Sequence, residues 1–260
     1  IKVISEAYKV GEITETRLAR SVKKILKAKY KVGLSNYKPV LTQNLIQDLN
    51  TSRDTALYAE AIGKALTLIK NKNNLLPLKK VNRLGHLPLG DASSSSFQSQ
   101  LARYQKVTTL TEITPSNALE KTRNLDTLII SFHRSNENPW KASNLNREEV
   151  GIISALAKTK TVILDLFVKP YALNGIEKVQ GIDGLLLSYQ NSVIAQQLSV
   201  DAIFGAQEIT GELPVNVSDS LKEGSGIILK GAQRLGYTDP ANVGIDSENL
   251  GRVDDLAIQA

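Results

Sequence analysis

Side chains able to bind or transform a small molecule gather in the stretch SFHRSNENPW, residues 131–140. Imidazole, guanidinium, carboxamide, carboxylate and indole groups follow one another there: His133, Arg134, Asn136, Glu137, Asn138 and Trp140. A carboxyl group such as that of Glu137 can donate or accept a proton, and an indole can stack on a ligand ring. Asparagines are also common in turns, so the stretch is compatible with an ordinary loop as well as with a site.

An apolar run immediately precedes these polar residues. Leu125 to Phe132 contain almost no polar interruption, which is typical of a strand covered on both faces of a parallel sheet. In open α/β sheets, ligands bind just beyond the carboxyl ends of the strands. The position of the polar stretch therefore predicts a small-molecule site at that edge.

The remaining pattern alternates between strands and helices. Apolar runs occur at 66–69, 84–89, 107–110, 125–132, 161–168 and 184–189. Helical patterning occupies most of the intervals, at 96–104, 115–122, 146–158 and 191–204. This alternation predicts an α/β fold with a mostly parallel central sheet of about six strands, sandwiched between helices in three layers.

The two ends of the chain differ from this middle part. Residues 14–32 predict an amphipathic helix that needs an apolar partner surface, and 35–50 predict a polar connector. A second helix is expected from Thr51 or Ser52 to about Ala65. Past Val217 the chain becomes polar and glycine-rich, and a last helix is expected from Asp246 or Ser247. We therefore predict three parts: 1–50, an α/β domain over 51–218, and a linker with the first helix of a following domain over 219–260.

Composition excludes several kinds of site. The chain has no cysteine and only two histidines, which excludes disulfides and thiolate metal sites and argues against a zinc site built on imidazoles. We therefore expect no metal and no cofactor. No apolar run reaches the ~20 residues that a membrane-spanning helix needs, and no signal peptide is present in this sequence. The absence of methionine suggests a piece of a longer chain.

The positive net charge of +6 belongs to one segment of the chain. Residues 1–38 contain ten of the 32 basic residues and three of the 26 acidic ones, so the other 222 residues contain 22 and 23. Such a distribution is typical of a solvated helix face and argues against nucleic acid as a partner. A basic adaptor that uses Lys23, Lys24, Lys27 and Lys31 is the alternative.

Five segments together resemble the second, α/β domain of glycoside hydrolase family 3, in its bacterial β-N-acetylhexosaminidase-like branch. They are GEITETRLARSVKKILKAKYKVGL (11–34), AIGKALTLIKNKNNLLPL (61–78), SFHRSNENPW (131–140), VILDLFVKPYAL (162–173) and IFGAQEITGELPVNV (203–217). Residues 11–34 are similar to the last helix of that family's (β/α) barrel. The tail, 236–257, resembles the start of a serine-hydrolase domain of the β-lactamase type.

This resemblance implies an accessory domain that packs on a catalytic barrel and shapes its carbohydrate site. The nucleophilic aspartate of the family lies on the barrel, and in the β-glucosidase branch a glutamate of the second domain supplies the proton. Glu137 is nearest to that position, as a candidate acid/base or as a carboxylate at the substrate rim. An extracytoplasmic location, in the periplasm or cell envelope, is also implied.

The other members of the stretch have two interpretations each. His133 is expected to orient Glu137 or donate to a sugar hydroxyl, or else to bond loop backbone. Trp140 either stacks on a pyranose ring or anchors the loop, and Arg134, Asn136 and Asn138 are candidate rim donors. Asp165, inside an apolar strand, is expected to be solvated or paired with a cation such as Lys169. The alternative for the whole chain is a stand-alone flavodoxin-like module that binds a small ligand without catalysis.

Overall fold

A computed structural model describes residues 1–135, 137, 140, 144–176, 179–238 and 240–259. The chain forms two compact units, Ile1–Asn50 and Thr51–Ala260. Every helix in the described part of the chain is too short or too polar to span a bilayer.

The first unit consists of helices α1 (Lys2–Lys9), α2 (Glu15–Lys31) and α3 (Leu45–Leu49), with a 3₁₀ turn at Leu34–Asn36. The predicted helix over 14–32 matches α2, whose first turn is capped by the Thr14 hydroxyl accepting from the backbone N–H of Arg17 at 3.2 Å. After α2, Gly33 adopts a left-handed conformation that stops the helix. The short helices α1 and α3 were not anticipated, because neither carries a long apolar repeat.

The second unit is built on a six-stranded sheet. Its strands are β1 (Thr67–Asn71), β2 (Leu84–Gly90), β3 (Thr108–Thr109), β4 (Thr127–His133), β5 (Thr161–Phe167) and β6 (Ile182–Leu187). They are ordered β1-β6-β5-β4-β2-β3, and only β1 is antiparallel to its neighbour. The predicted mostly parallel sheet of about six strands is therefore confirmed.

Helices cover both faces of this sheet. They are α4 (Ser52–Ala65), α5 (Ser95–Tyr104), α6 (Ala118–Lys121), α7 (Arg147–Ala157) and α8 (Val193–Phe204). A further helix, α9 (Ser247–Gln259), follows near the end of the chain, and 3₁₀ turns lie at Lys72–Asn74, Pro170–Gly175 and Pro240–Val243. Side chains alternate along β4, so Ile130 packs with Ile153 of α7 on one face, while Ile129 packs with Phe97 of α5 on the other. Two cores result, one on each face.

The segment after α8 returns to the sheet. The backbone N–H of Gly211 donates to the carbonyl of Leu66 at 3.2 Å, and that of Ile227 donates to Leu68 of the edge strand β1 at 2.7 Å. Ile209 and Leu229 form a further antiparallel pair. The predicted extent of the linker and of a following domain stays a prediction, but the residues near 227–229 are attached to the α/β unit.

Candidate functional site

Three parallel strands end side by side at one edge of the sheet. Gly90 of β2 lies in register with His133 of β4, which lies in register with Phe167 of β5. The backbone N–H of Asp91 donates to the carbonyl of His133 at 3.0 Å, so the chain after β2 begins in contact with β4. The predicted stretch 131–140 therefore starts at the edge where α/β sheets bind ligands.

A buried chain of hydrogen bonds runs beneath this edge. The Ser131 hydroxyl lies 2.7 Å from Nε2 of His86 and 2.8 Å from Nε2 of His133. Nδ1 of His133 lies 2.9 Å from Oδ1 of Asn191, an oxygen that also accepts from Nε2 of Gln196 at 2.7 Å. Because a carboxamide oxygen only accepts, His133 carries its proton on Nδ1. Ser131 therefore donates to His133 and accepts from His86.

Aromatic rings enclose both histidines. His133 stacks on Phe167 at a centroid distance of 4.5 Å, and His86 stacks on Phe97 at 5.1 Å. Burial and, to a smaller extent, the neighbouring His133 lower the pKa of His86 to about 3. Burial also lowers the pKa of His133 to about 4, against the hydrogen bond with Asn191, which raises it. Both imidazoles are therefore neutral at pH 7.

The structure places His133 in the core. It is the last residue of β4 and fully buried, because the strand continues one residue beyond the predicted apolar run. Its partners are side chains of the core, whereas the sequence suggested loop backbone, Glu137 or a substrate hydroxyl. In the described part of the chain no contact joins His133 to Glu137.

Arg134 fastens the beginning of the following loop to its end. Its Nη2 donates to the Glu149 carboxylate at 2.9 Å and to the carbonyl of Asn144 at 3.3 Å, and its guanidinium lies 4.5 Å from the ring centre of Phe132. The same carboxylate accepts from the backbone N–H of Asn146 at 2.7 Å and so caps the start of α7. Arg134 therefore acts on the loop, at a position where only 16% of its side chain is exposed.

We expect Arg134→Met to lower the free energy of unfolding by about 2–3 kcal/mol, because it leaves the buried Glu149 carboxylate without its cation. Arg83→Met is the matched control, since the Arg83–Asp126 pair is more than half exposed on both sides and should contribute less than ~1 kcal/mol. Urea denaturation of both variants measures the difference. Equal losses would show that Arg134 does not fasten the loop.

Two of the remaining candidates lie at the surface. Glu137 and Trp140 are exposed, Trp140 at 92%, and the backbone N–H of Glu137 donates to the Ser135 hydroxyl at 3.3 Å. The predicted rim donors Asn136 and Asn138 lie outside the described residues. The structure thus brings Arg134 to Glu149 and leaves Glu137 and Trp140 at the surface.

The surroundings of Asp165 differ from those predicted from the sequence. It is fully buried in the middle of the sheet, and the hydroxyls of Ser188, at 2.7 Å, and Ser199 both donate to its carboxylate. The predicted solvated position or cation pair is therefore wrong, because β4 and β6 flank β5 on both sides and hydroxyl groups supply the hydrogen bonds. Burial raises the pKa of Asp165 to about 7, although the hydrogen bonds from Ser199 and Ser188 lower it.

Several residues that shape this edge were missed from the sequence. His86 is a polar residue within the apolar strand LGHLPLG, a signal that could have marked it as a buried partner. Asn191 and Asp91 lie in loops after β6 and β2, and no local pattern distinguishes them. The Asp91 carboxylate accepts from the backbone N–H of Ser135 at 3.3 Å and lies 3.9 Å from Arg134. It therefore helps to hold the loop that carries Glu137.

The chemistry available at this edge is that of a supporting surface. Retaining glycoside hydrolysis needs two carboxyl groups about 5–5.5 Å apart, one of them a nucleophile. Here Asp91 is engaged with the loop, Asp165 is engaged with two serines in the core, and Glu137 is the exposed carboxylate of the described loop residues. Of these carboxylates, Asp91 can position the loop and Glu137 can contact a ligand.

Curated relatives are glycosidases. The chain is 32% identical over 98 residues to a lysosomal β-glucosidase of Dictyostelium discoideum, which covers 37% of this chain and 12% of that protein. It is 25% identical over 236 residues to a periplasmic β-glucosidase/β-xylosidase of Dickeya chrysanthemi, which covers 84% of this chain and 32% of that protein. The chain thus spans a third or less of these relatives. No protein-family model matches it.

Solved structures share the fold. A β-glucoside phosphorylase superposes with a TM-score of 0.64 at 18% identity, over 85% of this chain and 42% of that one. A glycoside hydrolase family 3 β-N-acetylglucosaminidase from Paenibacillus superposes with a TM-score of 0.59 at 17% identity, over 82% of this chain and 42% of that one. A Listeria innocua β-glucosidase superposes with a TM-score of 0.59 at 18% identity, over 81% of this chain and 34% of that one. The resemblance to a family 3 α/β domain is confirmed, whereas the β-lactamase-type tail has no support.

Proposed function

We propose that this chain is the second, α/β domain of a family 3 glycoside hydrolase that removes terminal β-linked N-acetylhexosamine or β-glucoside residues. The observation that carries the proposal is the similarity to a periplasmic glycosidase over 84% of this chain, which corresponds to 32% of that protein. The shared fold of β-glucosidase and β-N-acetylglucosaminidase structures supports it. The reacting nucleophile would belong to a (β/α) barrel and not to these residues.

In this proposal the edge after β4 forms a wall of the carbohydrate site. Trp140 is exposed and in this proposal stacks on a sugar ring, and the exposed Glu137 carboxylate accepts from a sugar hydroxyl. Arg134 acts on that wall by fastening the loop, and the buried His133 fixes the end of the strand from which the loop departs. Asn136 and Asn138 complete the proposed rim.

The first unit of the chain supports the proposal that a barrel packs against this protein. Helix α2 presents an apolar face whose side chains are 45–74% exposed: Val22, Ile25, Leu26 and Tyr30. An amphipathic helix of this kind requires an apolar surface to cover that face, and a preceding barrel would supply it. The periplasmic location of the Dickeya relative supports an extracytoplasmic location for this protein too.

The proposal predicts that the 260-residue chain alone will not hydrolyse an aryl β-N-acetylglucosaminide or an aryl β-glucoside. A fusion in which this chain replaces the corresponding α/β part of the Dickeya enzyme should hydrolyse one of them, because the barrel supplies the nucleophile. Release of the aryl group measures both. Turnover by the chain alone would contradict the proposal, and tight flavin or nucleotide binding would favour a stand-alone binding module.

Glu137→Gln in that fusion separates the two roles of the carboxylate. A rim carboxylate loses one hydrogen bond to substrate, so KM should rise a few-fold with kcat nearly unchanged. A proton donor would instead lose about 10²–10⁴-fold in kcat. We propose the rim role, and a fall of kcat into that range would assign the acid/base role to Glu137.

A further inference from the structure

A basic cavity lies in the α/β unit, away from the residues discussed so far. It has a volume of about 560 Å³ and lies between the chain that follows β1 and the segment 229–234. Lys79, Lys80 and Arg234 line it together with the carboxamides of Asn74 and Gln233. Among the described residues that form its wall, none is acidic.

The positive charge of this cavity is not balanced by an ion pair in the described part of the chain. Between Glu60 and Asp91 the sequence has no acidic residue. Other cations of this region have partners, as in the pair of Lys72 with Asp183 at 3.2 Å. Lys79, Lys80 and Arg234, in contrast, have no carboxylate within 4.0 Å in the part of the chain that the structure describes.

Arg234 is held at the cavity by groups other than an acid. Its guanidinium lies 4.5 Å from the ring centre of Tyr104, which stacks on Phe204 with centroids 4.6 Å apart. The backbone N–H groups of Gln233 and Arg234 donate to the carbonyl of Gly205, at 2.6 and 3.1 Å. The nearby Asp201 carboxylate accepts from Gln100 and from the Tyr104 hydroxyl, both at 2.6 Å. Asp201 interacts electrostatically with Arg234 but forms no ion pair with it within 4.0 Å, so the guanidinium is oriented and keeps its donors for an anion.

The carboxyl end of α8 at this cavity would repel an anion if its carbonyls were free. Several of them are engaged, because Ile203 accepts from the backbone N–H of Leu78 at 2.7 Å and Gly205 accepts from Gln233 and Arg234. Backbone N–H groups thus satisfy part of the negative end of the helix. The three cations then determine the electrostatic character of the cavity.

From this geometry we propose that the cavity binds a phosphate-bearing small molecule. Three positive charges match a phosphate or diphosphate group better than a single carboxylate, and two carboxamides can donate to its oxygens. The half-buried side chains of Pro77 and Leu229 provide an apolar surface for the rest of the ligand. The volume lies within the range of about 300–1,000 Å³ typical of small-molecule pockets. This site is independent of the proposed glycosidase function.

Isothermal titration of the 260-residue chain with pyrophosphate tests the proposal. Binding should be detectable at low ionic strength, and Lys79→Gln with Lys80→Gln should weaken it at least about tenfold, since each charge-assisted hydrogen bond is worth ~1.5–3 kcal/mol. Arg234→Gln should weaken it similarly. Lys23→Gln with Lys27→Gln removes two exposed charges from α2 and should leave the affinity unchanged.

Two further ligands distinguish the source of the phosphate. Glucose 6-phosphate, compared with glucose, represents a soluble phosphorylated sugar, and vesicles containing phosphatidic acid represent a lipid headgroup. Preference for glucose 6-phosphate over glucose would support the proposal and identify the ligand as a soluble phosphorylated sugar. Preference for vesicles containing phosphatidic acid over vesicles without it would support the proposal and identify the ligand as a lipid headgroup. Absence of pyrophosphate binding at millimolar concentration, or equal weakening by the α2 control, would overturn the proposal.

Discussion

The free energy of unfolding of the α/β unit is expected to rise by about 1 kcal/mol per pH unit between about pH 4.5 and 6, and to level off near pH 7. Three buried groups determine this slope. Burial lowers the pKa of His86 to about 3 and that of His133 to about 4, and it raises the pKa of Asp165 to about 7.

The sign follows from the protons that each state binds. In this pH range the unfolded chain holds a proton on both imidazoles and none on Asp165, because the unfolded pKa values are about 6.5 and 3.9. The folded chain holds one proton, on Asp165. The unfolded state therefore binds one more proton, so raising the pH favours folding. Asp201, whose pKa is also raised by burial, opposes the rise at the acid end.

Asp165→Asn provides the decisive comparison. The amide cannot ionise, so only the two histidines contribute and the slope over pH 4.5–6 should roughly double, to about 2 kcal/mol per pH unit. Chemical denaturation at half-unit pH intervals from 4.5 to 7.5 measures both slopes. A stability that falls with pH in the original chain, or an unchanged slope in Asp165→Asn, would show that these three groups are not buried as described.

The elements of the fold could be predicted because their signals are local. Each of the six apolar runs became a strand, the expected start at Thr51 or Ser52 matches α4, and the helical pattern at 191–204 matches α8, which ends at the left-handed Gly205. The order β1-β6-β5-β4-β2-β3 and the antiparallel β1 could not be predicted. They depend on which strands pair across long separations, and no single run of residues encodes that choice.

The site was predicted only in its location. The boundary between apolar and polar residues at 132 correctly indicated the edge of the sheet, but it assigned His133 to the loop. Whether a residue at a strand end faces the core depends on partners distant in sequence, here Asn191 and Phe167. The same holds for Asp165, whose hydroxyl partners come from the loop after β6 and from α8.

Gly90→Ala should destabilise the unit by about 3–5 kcal/mol. Gly90 ends β2 with a φ of +100°, where a side chain is strained by ~1–3 kcal/mol. An added Cβ would lie 1.9 Å from the carbonyl oxygen of His133, an atom of the paired strand that cannot rotate away. Separation of β2 from β4 must therefore add a further ~1–3 kcal/mol for overpacking. The midpoint of urea denaturation measures the loss.

Gly175→Ala is the matched control. It lies in the turn after β5, has no φ in the left-handed region, and an added Cβ would meet no atom within 4 Å, so the change should stay within about 0.5 kcal/mol. A similar small effect at Gly90 would mean that β2 and β4 are not in close contact there. Because the Asp91 N–H donates to the same His133 carbonyl, Gly90→Ala should also displace the loop anchored by Asp91. In the barrel fusion it should then raise KM for the aryl glycoside, whereas Gly175→Ala should not.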